Sequence, residues 1–365
     1  MFTINGKALS DAFKAANQAV LPKSPLPAFT HVRLVGRANT DSVRLIGSSG
    51  YLTVSAAAEA TVDDDVDLCL PADKLNAICS LGADSVTFKD EKGKVVARAG
   101  RTRMTLPTLP GDIFPMPKLD GEPEAVFDSP ELTAKIETVA FAIAPQGRVD
   151  KPILRNLWIE CDGEYAHLVG CDGLTMATNV VPVIPTAFGG TVPPFGIAVP
   201  DAAASILGNI GADHFEVHKG HLLASGRCVQ IICTLAPGRY IDWKRLLPNP
   251  DQFVTFSRDD LTTVCPLHRT FDRVEGIIRM EQDGKYCSIT ISSEAHSVEA
   301  DVELKQITLD SHLEASFVGS QLLRLIGQVK TEEVSISWVQ PENSPPLSYL
   351  LQDGSWRGLL QPMRV

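Results

Sequence analysis

Apolar residues along this chain switch between helical and strand spacing at regular intervals. Three stretches carry apolar residues three and four positions apart, which predicts amphipathic helices, and each leads into an alternating run that predicts a strand. The helical stretches are residues 9–20, 130–143 and 259–270, and the strands are residues 32–35, 157–160 and 277–280. The pattern therefore indicates a unit that occurs three times.

A second predicted helix in each third shows the repeat at the level of residues. Residues 70–88 read LPADKLNAICSLGADSVTF, and residues 199–217 read VPDAAASILGNIGADHFEV, an offset of 129 with no gap. A third copy at residues 318–336 follows at an offset of 119 and keeps only the apolar pattern. The matched positions in the first two copies are Pro71 with Pro200, and Gly82-Ala83-Asp84 with Gly211-Ala212-Asp213.

Each copy predicts the same local structure. In the first two copies, proline stands at the first helical position, where it costs no hydrogen bond because the first N–H groups of a helix have no partner within it. Gly-Ala-Asp, or its equivalent in the third copy, then ends the helix, and an alternating strand follows that continues, in the first two copies, through a hairpin. The hairpin strands are residues 94–99 with 103–106, and residues 221–225 with 228–234.

Three such units predict an α+β fold of three repeated domains, each with two helices packed on antiparallel sheets. Proline-rich stretches at residues 115–123 and 248–250 suit the boundaries between the domains. We therefore expect domains at residues 1–120, 121–249 and 250–365.

The charge of the chain limits how it can act on nucleic acid. Its formal net charge is −11, whereas proteins that grip DNA by neutralising phosphates are usually basic. A closed ring is held on DNA by topology and needs only a weakly basic lining. No apolar run reaches the roughly 20 residues of a membrane span, the amino terminus lacks an apolar signal core, and the cysteines form no CxxC pair. We expect a cytoplasmic protein with reduced thiols.

Four segments along the chain carry a resemblance to a known family. They are GRTRMTLPTLP at residues 100–110 with Phe114-Pro115, Asp172-Gly173, GRYIDWKRLLP at residues 238–248, and the terminus Gln361-Pro362-Met363-Arg364-Val365. Each is weak alone, but together, in order and on a threefold repeat, they are specific. The chain resembles, over essentially its whole length, the β subunit of bacterial DNA polymerase III, the sliding clamp.

This resemblance implies a head-to-tail homodimer whose six domains form a ring, with helices lining the channel and strands outside. A domain of this size is about 35 Å across, so four domains would leave a hole of about 15 Å and six a hole of about 35 Å. Only the larger hole admits B-DNA, which is roughly 20 Å wide. The implied protein is a non-catalytic processivity factor without a cofactor. It encircles double-stranded DNA of any sequence in the bacterial cytoplasm, at the nucleoid, and tethers the replicative DNA polymerase, the clamp loader and other proteins with clamp-binding peptides.

The resemblance also implies which residues contact DNA. Sliding requires loose contacts, because a deep free-energy minimum at one register would stall movement. Taken singly, each candidate is equally well explained as a solvated surface cation. The candidates are Lys23, Gln146, Arg148 and Lys151 in loops, and Lys14, Lys74, Lys135, Arg269, Arg273, Arg324 and Lys330 on or beside helices.

A second implied site is an apolar pocket on domains two and three that receives the peptide tails of partner proteins. The alternative is that its aliphatic residues only fill a core. The chain departs from the family at Leu174-Thr175-Met176, where His-Arg-Leu is usual, at Ile241 and at Gln361, so we expect an altered peptide preference and a divergent clamp. The implied wall comprises Leu154, Cys171, Gly173, Leu174, Thr175, Met176, Ile241, Arg245, Leu246, Leu359, Gln361, Pro362, Met363 and Arg364.

The dimer seam of the family pairs an edge strand of domain one with an edge of domain three. Arg103, Met104, Thr105 and Leu106 match the first edge, and the stretch from Leu267 through Arg269 to Arg273 matches the second. Alternating apolar and basic residues suit an interface that must open for loading. The alternative is an ordinary hairpin strand.

Three other functions compete with a clamp. An enzyme lacks support, because no P-loop, GxGxxG, HExxH or GxSxG motif is present. A zinc site at His214, Glu216 and His218 is a weaker alternative to a solvent-facing polar strand face. A scaffold or decoy would keep the ring and bind partners without supporting DNA synthesis.

Overall fold

The computed structural model describes residues 1–91, 93–145, 147, 151–186, 190–270, 276–292, 297–308, 312–342 and 344–363. Its elements follow one order three times: a strand and a helix, a 3-10 turn, four strands, a second helix, and three strands. The predicted threefold repeat and the α+β class are therefore confirmed.

The first repeat contains ten main elements and one two-residue strand. They are β1 (Phe2–Asn5), α1 (Gly6–Asn17), β2 (His31–Gly36), β3 (Ser42–Ser48), β4 (Leu52–Val62), β5 (Val66–Pro71), α2 (Ala72–Cys79), β6 (Ser85–Asp90), β7 (Lys94–Ala99), β8 (Thr102–Pro107) and the short β9 (Leu109–Pro110).

The second repeat has the same order. Its elements are β10 (Ala125–Asp128), α3 (Leu132–Ala140), β11 (Asn156–Cys161), β12 (Tyr165–Cys171), β13 (Thr175–Pro182), the short β14 (Ile184–Pro185), β15 (Phe195–Pro200), α4 (Asp201–Ile210), β16 (His214–His218), β17 (His221–Ser225) and β18 (Val229–Thr234).

The third repeat completes the series. Its elements are β19 (Gln252–Ser257), α5 (Arg258–Val264), β20 (Ile277–Asp283), β21 (Tyr286–Ser292), β22 (Ser297–Glu303), the short β23 (Gln306–Ile307), β24 (Glu314–Val318), α6 (Gly319–Ile326), β25 (Glu333–Trp338), β26 (Tyr349–Asp353) and β27 (Trp356–Leu360).

The helices pack in pairs against the sheets, α1 with α2, α3 with α4 and α5 with α6. Two glycines allow the first helix of a repeat to lie directly on a strand: a Cβ on Gly47 in β3 would overlap the Ala16 carbonyl of α1, and one on Gly170 in β12 would overlap the Val139 carbonyl of α3. These glycines stand at the same place in two repeats, so the close approach is a property of the repeat.

Two sequence predictions are displaced by small amounts. Pro71 and Pro200 are the N-caps, so α2 and α4 begin one residue later than predicted. Gly211 caps α4 with a φ of +61°, the left-handed conformation that favours glycine, whereas α2 is capped by Ser80 and its matching Gly82, with a φ of +62°, follows two residues later.

The helix predicted at residues 259–270 is observed as α5 and a 3-10 helix at Cys265–Thr270 that continues it. Leu267 and Arg269 lie in this 3-10 helix and not on a strand, and their place in a dimer seam stays a prediction. Pro266 cannot donate to a strand ladder, and its fixed φ suits a helical turn. Arg273 lies outside the described residues.

The repeats are joined by continuous antiparallel sheets. β4 of the first repeat pairs with β18 of the second, with Val54 opposite Ile231. β13 of the second repeat pairs with β27 of the third, with Met176 opposite Leu359. Both junctions join the fourth strand of one repeat to the last strand of the next, and we call them the internal junctions. The division at residues 120 and 249 stays a prediction.

Candidate functional site

An apolar cluster lies on the outer face of the sheet at the junction of β13 and β27, opposite the face that carries the helices. Strand alternation sends Cys171, Met176 and Leu359 to this side, because their neighbours Ala177 and Leu360 fill the helix-facing core. Leu154 joins the cluster from a 3-10 helix at Pro152–Arg155, and Ile241 packs against it. The structure therefore brings five of the predicted wall residues together.

The segment from Tyr240 to Leu247 holds one side of this cluster. The Tyr240 ring stacks flat on Trp158 at 5.1 Å between centroids. Glu160 accepts hydrogen bonds from the indole nitrogens of Trp158 (3.2 Å) and Trp243 (2.9 Å) and from Lys244 Nζ (2.7 Å). Burial acts to raise the pKa of Glu160, but these three donors outweigh it and leave the pKa below its ordinary value.

Burial also raises the pKa of the Cys171 thiol to about 11, so this thiol stays protonated at neutral pH. It accepts a hydrogen bond from Gly173 N at 3.4 Å. Gly173 has a φ of +94°, which the turn between β12 and β13 requires. Cys171 therefore acts here as a small apolar wall residue.

A separate groove of about 910 Å³ lies on the third repeat. The carboxyl-terminal segment crosses it, where Gln361 N donates to Leu174 O and Met363 N donates to Ser316 O. Leu347, 77% exposed, lies on its lip. Its lining comprises Arg279, Glu314, Ala315, Ser316, Ser344, Pro345, Pro346, Leu347, Tyr349, Gln361, Pro362 and Met363.

Some predicted wall residues lie at the margins. Leu174, Arg245 and Leu246 are exposed beside the cluster. Thr175 is wrong as an outward wall residue: it pairs with Leu360, which belongs to the helix-facing core, and is itself buried on that side. Matching residues 174–176 by position to the family's usual His-Arg-Leu does not show which face of the strand each side chain occupies. Arg364 lies outside the described residues.

Sequence reasoning missed much of the groove. Tyr240, Trp158 and Trp243 were available as an aromatic group around the segment at residues 238–248, but the contact of Trp158 with Tyr240 spans 82 residues and no local pattern predicts it. The loop at residues 344–347 carries only proline, serine and leucine, which read as a turn.

Several strands end a sheet in the described part of the chain and keep one free edge, and two of them stand at the positions in the repeat that form the internal junctions elsewhere. β8 ends the largest sheet, and β22 ends the four-stranded sheet. On β8, Arg103 is exposed and stands directly opposite Arg98 of β7. On β22, exposed Glu299, Asp301 and Glu303 share one face. Of the other residues predicted for this edge, Thr105 is exposed, Met104 is half-buried and Leu106 is buried.

The predicted DNA contacts are spread over helices and loops. Lys14 of α1, Lys74 of α2, Lys23 and Lys151 are exposed, and Lys135 of α3 is half-buried. Lys74 Nζ lies 3.1 Å from Asp73. Gln146 and Arg148 lie outside the described residues. The six helices carry six cations, Lys7, Lys14, Lys74, Lys135, Arg258 and Arg324, and six anions, Asp11, Asp73, Glu137, Asp201, Asp259 and Asp260.

The helices are therefore neutral in sum, while the whole chain carries −11. The excess negative charge lies on strands, turns and loops. A phosphate backbone facing the helices would meet far less repulsion than the net charge of the chain suggests.

The histidine group on β16 forms a chain of contacts and no metal cage. His214 Nδ1 lies 2.8 Å from Asp128, and His218 Nε2 lies 3.0 Å from Glu216 Oε2. His214 Nε2 lies 3.5 Å from the other oxygen, Oε1, so the carboxylate separates the two rings. In the described ranges, no group of three or more His, Cys, Asp or Glu side chains forms a possible metal site.

Of the helices in the described ranges, none combines the length and the apolar character needed to cross a membrane.

Similarity to known proteins extends over all three repeats of the chain. Residues 1–119 match the family model of the DNA polymerase III beta subunit, N-terminal domain. The beta sliding clamps of Pseudomonas putida and Pseudomonas aeruginosa are 25% and 26% identical to this chain over the full length of both proteins. The chain is therefore a divergent relative of the DNA polymerase III beta subunits, similar to them along its whole length.

Solved members of this family share its fold. The crystal structure of the DNA polymerase III subunit beta from Pseudomonas aeruginosa superposes with a TM-score of 0.87 at 23% identity, covering all of both chains. The sliding clamp from Bacillus subtilis gives the same TM-score at 17% identity, covering 100% of this chain and 99% of that one. The family assignment predicted from the sequence is confirmed.

Proposed function

We propose that this chain is a DNA sliding clamp, a non-catalytic processivity factor that closes into a ring of two copies around double-stranded DNA. One observation carries the proposal. Each internal junction joins the fourth strand of one repeat to the last strand of the next, and the same rule leaves β22 and β8 as the third such pair. Because they belong to the last and first repeats, a second copy supplies the partner.

The charges on these two strands support the pairing. Arg103 and Arg98 stand opposite each other, and like charges at directly opposed positions destabilise a sheet. The acidic face of β22, Glu299, Asp301 and Glu303, would relieve that repulsion when it lies beside β8. The basic and acidic edges lie on different repeats, so two copies join head to tail at two equivalent seams.

The neutral helices suit the inner surface of such a ring. With domains at residues 1–120, 121–249 and 250–365, six units of about 35 Å enclose a hole of about 35 Å. Exposed Lys14, Lys23, Lys74 and Lys151 then supply scattered phosphate contacts of low strength. Topology holds the ring, and weak contacts let it slide.

The apolar cluster at the junction of β13 and β27 supplies the tether. Its aliphatic and aromatic side chains suit the few apolar anchors of an extended peptide. We assign it to the tails of the replicative polymerase, the clamp loader and other clamp-binding proteins. Gln361 and Ile241 in its wall alter the peptide that fits best.

The first experiment compares retention on nicked circular and linear DNA after loading by the cognate clamp loader. We expect stable retention on circles and rapid loss from linear molecules, because a topological tether slides off free ends. Equal retention on both forms would indicate binding by charge and would contradict the ring.

Primer extension on circular single-primed DNA separates a clamp from a scaffold or decoy. With polymerase and loader, we expect the chain to lengthen products well beyond those made without it. Short products in the presence of a ring that is loaded and retained would favour the decoy.

A further inference from the structure

The two internal junctions pair the same positions of the repeat but differ on the helix-facing side of the sheet. In the first junction, β4 with β18, Val229 stands opposite Ala56. In the second junction, β13 with β27, the equivalent positions lie one step beyond the last pair of the ladder and hold Trp356 and Asn179. Because the backbone ladders are of similar length, a difference between the junctions must come from side chains and from the segments that cover them.

Trp356 and Asn179, both buried, form a hydrogen-bonded network between the second and third repeats. The indole Nε1 of Trp356 donates to the Thr138 carbonyl at 2.9 Å. This carbonyl lies in the last turn of α3, where carbonyl groups have no partner within the helix. Ser355 Oγ donates to Asn179 Oδ1 at 2.8 Å, and Asn179 Nδ2 donates to Thr138 Oγ1 at 3.0 Å. Because hydrogen bonds are directional, the network fixes how the third repeat sits on this helix end.

The first junction has only alkyl groups at these places. Ala15 of α1 precedes the carbonyl that lies against β3, as Thr138 precedes the carbonyl that lies against β12. Ala15 and Val229 pack against the first-repeat core, which includes Ala56. Such contacts stabilise the junction but set no direction, because the hydrophobic effect is non-directional.

The connecting segments show the same difference on the outer side of the sheet. After the first repeat, Phe114 packs in a cluster of first-repeat residues that includes Ile46 and Cys69. After the second repeat, Tyr240 and Trp243 pack in the cluster at the second junction, which unites residues of the second and third repeats. The second junction is thus braced on both faces by groups that the first junction lacks at the equivalent places.

The hydrophobic cores divide in the same way. The second and third repeats share one continuous core. The first repeat has a core of its own and contributes Ala19, Leu52 and Val54 to the shared one.

We propose that the second and third repeats form one rigid body and that the first junction is the hinge at which the chain bends when its ring opens. Trp356 and Asn179 are then positioning residues, which fix the angle between two repeats through α3. The role in opening rests on the proposed ring, whereas the difference in stiffness belongs to the single chain.

Hydrogen–deuterium exchange of the full-length chain tests the hinge, because it reports local opening segment by segment. The first-junction amides are residues 52–56 and 229–233, and the second-junction amides are residues 175–178 and 357–360. In the dilute monomer, we expect protection factors of the first-junction amides to be about ten-fold lower than those of the second-junction amides. Equal protection of the two sets would overturn the proposal.

Raising the protein concentration tests the role in opening. We expect the dimer to gain protection at the first-junction amides, while the second-junction amides stay within about two-fold of their monomer values. An equal gain at both junctions would contradict the hinge. A chain that stays monomeric would refute the ring instead, and the comparison within the monomer would still decide the stiffness of the junctions.

Two variants test the network itself. Trp356→Phe keeps an aromatic ring and removes the indole donor, and Ser355→Ala removes one exposed hydroxyl donor and should leave folding intact. We expect protection of the second-junction amides to fall about ten-fold in the first variant and about three-fold in the second, because a buried acceptor loses its donor. The first-junction amides should not change. Full protection of the second junction in both variants would show that the network does not hold it.

Trp338→Phe is the matched control. Trp338 is equally buried, but its indole donates at 3.1 Å to Gln340 within the third repeat. We expect this variant to leave the second-junction amides unchanged. If it lowered their protection as much as Trp356→Phe, the effect would be a general loss of stability, and the proposal would fail.

Discussion

The internal junctions and the free strands occupy equivalent places in the repeat but differ in chemistry. Where β4 meets β18, the paired residues 52–56 and 229–233 include no charged side chain. Where β13 meets β27, Arg357 is the only charged residue in the paired segments. By contrast, β8 carries Arg103, and β22 carries three acids. Junctions within the chain are apolar core, whereas the two free strands carry exposed charges, which in the proposed ring would suit a seam that separates.

The proposed ring accounts for this difference, because a ring must open to admit DNA. An apolar seam, once formed, would resist opening, while a seam with charged partners weakens in water and salt. Under this proposal, the same strand position forms a permanent or a reversible contact according to its side chains.

The largest effect is expected from a charge placed in an internal junction. Ile231 of β18 is fully buried opposite Val54, and the variant Ile231→Asp would place an unpaired carboxylate there. We expect the free energy of unfolding to fall by about 4 kcal/mol. Urea denaturation measures it. Gln230→Asp, on the half-buried neighbouring position, is the control and should cost less than about 1 kcal/mol.

Charge reversal at the seam should act on assembly and leave folding intact. We expect Arg103→Glu to raise the dimer dissociation constant about 100-fold, because it adds repulsion against an acidic strand. Adding Asp301→Arg to the same chain should restore much of the affinity. Sedimentation equilibrium follows both variants, with Arg37→Glu as the control. A dimer unaffected by Arg103→Glu would mean that β8 lies outside the seam.

Salt should distinguish the two kinds of junction. Between 0.05 and 0.5 M NaCl, we expect the dimer dissociation constant to rise about ten-fold through screening of the seam charges. The urea midpoint of the Arg103→Glu variant, which reports the chain without its seam, should change little. A dimer that strengthens with salt would indicate an apolar seam instead.

The smallest effect concerns the segment that covers the internal junction of β13 and β27. The folded-state pKa of Glu160 is depressed, so its stabilising contacts are complete above the ordinary value of about 4.3 and are lost as the pH falls through the lower folded value. We expect tryptophan fluorescence of Trp158 and Trp243 to change between pH 5 and pH 3. The Glu160→Gln variant should lack this step. The free-energy change should be under about 1 kcal/mol.

Local pattern was sufficient for the order of elements and for the repeat. The helices α1 to α6 and the hairpin of β7 and β8 follow from periodicity and from Gly82 and Gly211 at helix ends. Such features depend on residues a few positions apart, and a single sequence displays them.

The internal junctions could not be predicted in this way. Val54 and Ile231 are 177 residues apart, and nothing in either strand specifies the other. The resemblance placed the third-repeat side of the seam at residues 267–273, and the alternating acids of residues 297–303 mark a second exposed edge of that repeat, the strand β22. Strand alternation sends the side chain of Thr175 to the helix-facing side of the sheet, which matching to the family by sequence position does not reveal.

The central claim is that β8 and β22 of two copies form the third junction. Hydrogen–deuterium exchange of both strands as a function of protein concentration tests it most directly. We expect the amides of residues 102–107 and 297–303 to gain protection together, over the concentrations at which the mass doubles from 39.4 kDa. Exchange that stays fast in both strands while the mass doubles would show that the copies associate elsewhere.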